Sequence, residues 1–345
     1  MTASLSDRER QVLEAVIETY VQTAEPAGSR TISKRHQLGL SPATIRNTMS
    51  DLEEKGYLYH PHTSAGRIPT DQAYRVYVDS LMKPPRVAAA QSEQIRDELG
   101  GGGERAAIET ILSRAAQVLG VLTSELGVAV SPSIEEAVLE RLDLLPVSSE
   151  RLLLVLALKS GVVRTIFVEV PSQMAADAVG QVARVLNERL AGLTLREIRT
   201  SLAQRLRDAV SGPGSGELLN IFVQEAEELF DAPPPGTGVL LGSTQPLTVQ
   251  PEFATKERLQ DLIEVTERRD LLREALAARG VEGLTITIGR EHADPRLAAF
   301  TLVTSSYRFG TLSGVIGVMG PTRMPYDKIA ALVDHTSRLV GDLLG

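Results

Sequence analysis

The chain contains no cysteine and no tryptophan, and aromatic residues make up only 4% of its 345 positions. Without thiols there can be no disulfide, no thiolate nucleophile and no cysteine-ligated zinc, which fits a reducing compartment. The scarcity of aromatics leaves the cores to Leu, Val, Ile and Ala. No apolar stretch approaches the roughly 20 residues of a membrane-spanning helix. The start, MTASLSDRER, lacks the apolar region of a secretion signal, so the expected location is the cytoplasm. Net positive charge is missing too: the formal charge is −8. A chain of this sign is no blanket binder of polyanions, so any nucleic-acid surface must be local. What is present is length and hydrophobic content, 43% over 345 residues, enough for two or three domains with real cores.

Local signals divide the chain. Ser6 and Glu9 have the spacing of a capping box, and Leu13, Val16, Ile17 and Tyr20 then share a helical face. Glu25-Pro26-Ala27-Gly28 ends that helix. Ser29 opens a short second one, which stops near Leu38-Gly39. Ser41-Pro42 starts a third, because Ser caps and Pro suits the first helical position, and Gly56 supplies its stop. Tyr57–Tyr59 and Arg67–Pro69 are expected as the arms of a small hairpin, with His62 to Gly66 at its tip. A fourth helix is expected over 71–82. Lys83-Pro84-Pro85 and the four glycines at 100–103 read as linker elements. Beyond them a helix from 104 precedes strand-like runs at 127–130, 139–145, 152–158 and 163–170, then a helix at 174–190. Further strands are expected at 236–242, 284–288, 298–305 and 314–319. One helix is expected over 255–279, and an apolar-faced helix closes the chain.

The stretch from Ala27 to Thr70 carries the functional signal. Its layout of helix, turn, helix and basic hairpin is that of a winged helix-turn-helix. Between Gly28 and Ser50 lie Arg30, Lys34, Arg35 and Arg46, with no Asp or Glu, a local charge of +4 in a chain of −8. In the third helix Ile45, Met49 and Leu52 share one face, which must be buried. Ala43, Asn47, Ser50 and Glu54 are left on the other, flanked near the N-terminus by Thr44 and Arg46. A recognition helix reads the major groove mostly with its N-terminal residues, where Arg suits guanine and Asn suits adenine. Arg46 and Asn47 are thus expected to read bases. Arg30, Lys34, Arg35, Ser41, Thr44 and Arg67 are expected to position the DNA backbone, Ser50, His62, Thr63, Ser64 and Gly66 are further expected DNA contacts, and the expected partner is double-stranded DNA.

These residues resemble the heat-inducible transcription repressor family HrcA. LSDRERQVLEAVIETYVQTAEPAGSRTIS is similar to that family's first helices, and LSPATIRNTMSDLEEKGYLYHPHTSAGRIPTDQAYRVYVD to its recognition helix and wing. Downstream, Gly242-Ser243-Thr244, Pro251-Glu252-Phe253, Ile288-Gly289-Arg290-Glu291 and the run Val315–Met324 also match. His292 stands where that family usually has Asn, and Pro325 where it has Asp. The resemblance implies an α+β multidomain protein. Its winged helix-turn-helix (residues 1–82) and linker (83–103) would precede a GAF-like sensor domain (104–192 and 254–345) interrupted by an inserted dimerisation domain (193–253). It further implies a homodimer that binds an inverted-repeat operator of the groE and dnaK chaperone genes, kept active by the GroE chaperonin. The alternative is a winged-helix regulator answering to a small-molecule effector in the GAF-like domain.

Other chemistry has little support in the residues. His60-Pro61-His62 has a metal pair's spacing but no third ligand, so no metal is expected. The glycine runs at 100–103 and 212–216 do not follow the strand-to-helix pattern of a phosphate loop. Arg290, Glu291, His292 and Asp294 cluster without a nucleophile. No catalytic residue and no cofactor is expected. A scaffold that binds only protein predicts that Arg46 and Asn47 tolerate alanine without loss of operator binding.

Overall fold

The computed structural model describes residues 5–61, 66–83, 85–100, 108–132, 134–171, 175–207, 215–225, 229–230, 238–277, 283–310 and 312–344. The chain is a mixture of helix and sheet in two compact units. The first comprises 1–131, 238–307 and 315–343, and the second 132–237, 308–314 and the last two residues.

The first unit begins with helix α1 (Asp7–Thr23). Its expected capping box is present: the Glu9 carboxylate accepts from Ser6 N at 2.8 Å while the Ser6 hydroxyl accepts from Glu9 N at 3.4 Å. Val12, Leu13, Val16 and Ile17 are fully buried. Helices α2 (Ser29–Arg35) and α3 (Pro42–Glu54) follow, joined by a turn in which Gly39 adopts φ +68°, a conformation that side chains with a Cβ resist. A minimal antiparallel pair, β1 (Leu58–Tyr59) and β2 (Ile68–Pro69), sets Leu58 opposite Pro69. Helix α4 (Asp71–Val76) runs into a wider turn over Tyr77–Leu81, where Met82 N donates to Tyr77 O at 2.8 Å. That is an i→i+5 bond, so the single helix expected over 71–82 loosens in its second half while keeping Tyr77 buried. Part of the expected linker is itself helical, α5 (Ala89–Gly100).

The remainder of this unit is built on a sheet of β7 (Val239–Leu241), β3 (Leu126–Val130), β10 (Leu312–Pro321), β9 (Phe300–Phe309) and β8 (Leu284–Ile288), in that order. Helix α6 (Ile108–Thr123) buries Ile111, Leu112, Ala115 and Leu119. After the one-turn α10 (Gln245–Thr248), the helix expected over 255–279 is two, α11 (Lys256–Glu267) and α12 (Arg269–Ala277). The break is at Arg268, whose ψ of 78° is not helical. It lets Arg269 donate to Val239 O at 2.8 Å while Leu271, Leu272 and Leu276 enter the core beside Phe253 and Phe300, whose rings stack at 5.8 Å. The last helix, α13 (Tyr326–Leu344), buries Ile329, Leu332, Val333 and Val340, while Leu343 is 45% exposed.

The second unit holds an antiparallel sheet β4 (Leu139–Ser148), β5 (Arg151–Leu158) and β6 (Val163–Glu169), with helices α7 (Ala176–Leu190), α8 (Leu195–Leu206) and α9 (Ser215–Gln224). The alternation of β5 sends Leu152, Leu154, Leu156 and Leu158 into a core shared with Val182, Leu186, Ile198, Leu202 and Phe222. These strands therefore pack with the helices that follow them and do not extend the five-stranded sheet. The unit that interrupts the first one thus begins at Pro132, where the sequence suggested an insertion starting at 193. Sequence alternation shows that a strand has one buried face, not which helices cover it.

Candidate nucleic-acid interface

The α2–α3 pair is fixed from below and left charged above. Ile32 on α2 and Ile45, Met49 and Leu52 on α3 are at most 1% exposed. Burying such side chains is worth about 1.5–3 kcal/mol each, so this packing sets the pose of α3. Ser41 caps α3, its hydroxyl accepting from Thr44 N at 3.1 Å and sharing a hydrogen bond with the Thr44 hydroxyl at 2.9 Å. On the outward side Arg30, Lys34, Arg35, Ser41, Arg46 and Asn47 are exposed, and Thr44 and Ser50 half-buried. Among the described residues no carboxylate forms an ion pair with Arg30, Lys34, Arg35 or Arg46. Four uncompensated cations at the N-terminal, positive end of the α3 dipole suit an anionic ligand.

The hairpin is placed differently from the sequence expectation. Arg67, expected as a free phosphate donor, is 9% exposed. Its Nε donates to Glu53 at 3.0 Å and its Nη2 to the Ser50 hydroxyl at 2.8 Å. Its backbone exchanges hydrogen bonds with Ala27, N to O at 3.0 Å and O from N at 2.9 Å. Arg67 and Ser50 therefore tie the hairpin to α3 and to the start of α2. His60 Nε2 also approaches Glu53, at 3.6 Å. Gly66 belongs to the same joint: a Cβ there would meet Ala27 O at 2.4 Å, so the close approach requires glycine. His62, Thr63 and Ser64 lie outside the described residues.

Sequence reasoning missed Glu53 as the hub of this joint, because residues 14 positions apart give no periodic signal of contact. It also left without a role two of the four downstream stretches that carry the family resemblance, Ile288–Glu291 and Val315–Met324. Both grip the N-terminal helices. Arg75 on α4 forms a two-pronged ion pair with Glu291, at 2.7 and 2.5 Å, and donates to Ile286 O at 2.6 Å. Burial raises the Glu291 carboxyl, but the Arg75 hydrogen bond and the Ile288 amide outweigh it and hold the group below its ordinary range. Asp71 accepts from Arg290 N at 3.1 Å. From the second stretch Arg323 donates to Val21 O at the end of α1 at 2.8 Å, while its other side is paired with Glu252. The Glu291–Arg290 pair singled out as a charged cluster thus serves as a docking loop. Among the described residues no cluster has the composition of a metal site.

A sequence profile described as the HrcA protein C-terminal domain matches residues 109–330. The heat-inducible transcription repressor HrcA of Chlorobium phaeovibrioides is 40% identical over an alignment covering 96% of this chain and 95% of that protein. The chain belongs to the HrcA family. The HrcA of Chlorobaculum tepidum is 39% identical, covering 99% of this chain and 98% of its own. A crystal structure described as that of a hypothetical protein has the same fold, with a TM-score of 0.61 at 23% identity and 99% coverage of both chains. The HrcA match joins the two halves of the molecule: the profile covers the sheet-bearing part, and the full-length relatives add the helices that carry the basic face. No helix among the described residues is long and apolar enough to cross a membrane.

Proposed function

We propose that this protein is a cytoplasmic, DNA-binding transcriptional repressor of heat-shock chaperone operons. The observation that carries the reading is the unpaired basic face of α2 and α3, with Asn47 beside Arg46 near the capped end of α3. Residues 1–82 act as a winged helix-turn-helix. Arg46 and Asn47 read base edges, and Arg30, Lys34, Arg35, Ser41 and Thr44 hold the phosphates. Arg67 positions the wing from inside, through Glu53 and Ser50, while His62, Thr63 and Ser64 belong to the wing tip. The five-stranded sheet with α6 and α13 serves as the GAF-like sensor core.

The operator is an inverted repeat, and the protein binds it as a homodimer, since two-fold protein symmetry mirrors a two-fold site. The outer face of the β4–β6 sheet supports self-association: Leu145, Val147, Val163 and Phe167 are each more than half exposed on it. Monomers rarely leave such adjoining apolar groups in water. The GroE chaperonin, which the family resemblance supplies, would maintain the active state. A second reading, control by a small molecule, is favoured by a cavity beside the N-terminal helices.

The test of the DNA pose is base discrimination. Arg46→Ala and Asn47→Ala should each weaken binding to the chaperone-operon repeat by about 1–3 kcal/mol and reduce its preference over a scrambled duplex. Full retention of that preference in both variants would mean that α3 does not read the groove.

A further inference from the structure

A cavity of about 720 Å³ lies within the first unit, where α1, the hairpin and α4 meet the loops of the sheet. That is the size range of small-ligand sites. Its walls combine phenol rings with positive charge. Tyr20, Tyr59 and Tyr74 line it, as do Arg258 and Arg290. Two carboxylates also line it: Glu252 is ion-paired with Arg323, and Asp71 accepts from the Arg290 amide.

The two guanidinium groups are freer. Among the described residues no carboxylate forms an ion pair with Arg290, and the nearest to Arg258 is Asp261 at 3.8 Å, with both partners about half exposed. A contact that long and that wet holds an arginine weakly. Tyr74 adds an independent sign: it is 1% exposed, and among the described residues its hydroxyl has no hydrogen-bond partner. A buried polar group without a partner costs free energy that a ligand can recover. Aromatic walls favour a flat ring, and available guanidinium groups favour an anion.

We propose that this cavity binds a small aromatic anion, a ring bearing a phosphate or carboxylate, and that its occupation changes operator affinity. The second half rests on reading the chain as an operator-binding repressor. The coupling route is short. Asp71 and Glu252, both in the cavity wall, belong to the contacts that hold α4 and the end of α1 to the sheet. A ligand engaging Arg290 or displacing Glu252 acts on the orientation of the helices that carry the basic face.

The experiment uses the full chain with phenyl phosphate as probe, followed by calorimetry without DNA and then by operator titration. Wild type should bind phenyl phosphate saturably, and inorganic phosphate at least about tenfold more weakly, because the ion alone cannot use the tyrosine walls. Two variants locate the site. Arg258→Ala removes an anion contact outside the docking loop, and Ala299→Phe fills the cavity from a half-buried wall position without touching charge. Each should weaken probe binding about tenfold or more, while operator binding without probe stays at the wild-type level and shows that the variant is folded. Saturating probe should shift wild-type operator affinity several-fold. Absence of saturable binding, equal binding of inorganic phosphate, binding that survives both variants, or saturation without any shift would each overturn the proposal. Wild-type protein that ignores the operator even without probe would count against the repressor reading, and the DNA-free titrations would still decide the cavity.

Discussion

Replacing Glu125 with glutamine should stabilise the protein at neutral pH and do nothing for it in acid. Glu125 is 3% exposed, just ahead of β3, and accepts a hydrogen bond from the Gln250 amide at 3.1 Å. Burial pushes its carboxyl up to about 8 from an ordinary 4.5, while the Gln250 bond and the Arg323 charge oppose the shift without cancelling it. Below pH 4.5 the group is protonated in the folded and unfolded chains alike, and its titration has no effect. Between 4.5 and 8 the unfolded chain releases the proton and the folded one keeps it. Stability then falls by about 1.36 kcal/mol per pH unit, and the loss is complete above 8. At pH 7 the accumulated cost is about 3 kcal/mol. Glutamine removes the titration and keeps a similar shape, so Glu125→Gln should gain up to roughly that amount at pH 7 and nothing at pH 4. Urea unfolding of both proteins at half-unit steps from pH 4 to 8.5 reads this directly. Other carboxylates titrate equally in both, so the difference curve isolates Glu125. Parallel curves, or a variant less stable than wild type at pH 7.5, would refute the assignment of a protonated buried acid.

Three further outcomes follow from the interface geometry. Gly66→Ala places a Cβ against Ala27 O and should cost about 1–3 kcal/mol of stability by overpacking, read as a lower Tm, with weaker operator binding as the hairpin is pushed off α3; an unchanged Tm would mean that the joint is slack. Lys34→Ala should weaken binding to operator and scrambled duplex alike and reduce the slope of log affinity against log salt by about 1, whereas a selective loss on the operator would make Lys34 a base reader. Phe167, 54% exposed with the Arg151 guanidinium 4.4 Å above its ring, should as Phe167→Asp shift the protein toward monomer in sedimentation, and an unaltered association state would move the dimer surface elsewhere.

What the sequence made legible was local. The Ser6 and Ser41 caps, the apolar face of α3 and the strands β3 to β6 all rest on periodicity or on a single capping residue, and each element forms within three residues of its expected place. The break at Arg268 was hidden, because a helical apolar pattern continues through it and only the Arg269–Val239 contact reveals the kink. The candidate site divides in the same way. Exposure of Arg30, Lys34, Arg35, Arg46 and Asn47 follows from which face of each helix is apolar. The withdrawal of Arg67 into a joint with Glu53 does not, since a basic residue on a short hairpin reads alike whether it faces DNA or a carboxylate. The ties of Arg75 to Glu291 and of Arg323 to Val21 span 216 and 302 positions, beyond the reach of any local rule.

The central claim is sequence-specific operator binding by the basic face. Its most direct test is titration of the full chain against a chaperone-operon inverted repeat and a scrambled duplex of equal length, at two salt concentrations, with and without chaperonin. Selective binding to the repeat, an affinity that falls steeply with salt, and strengthening by chaperonin are expected. Equal, weak binding to both duplexes, indifferent to chaperonin, would contradict the claim.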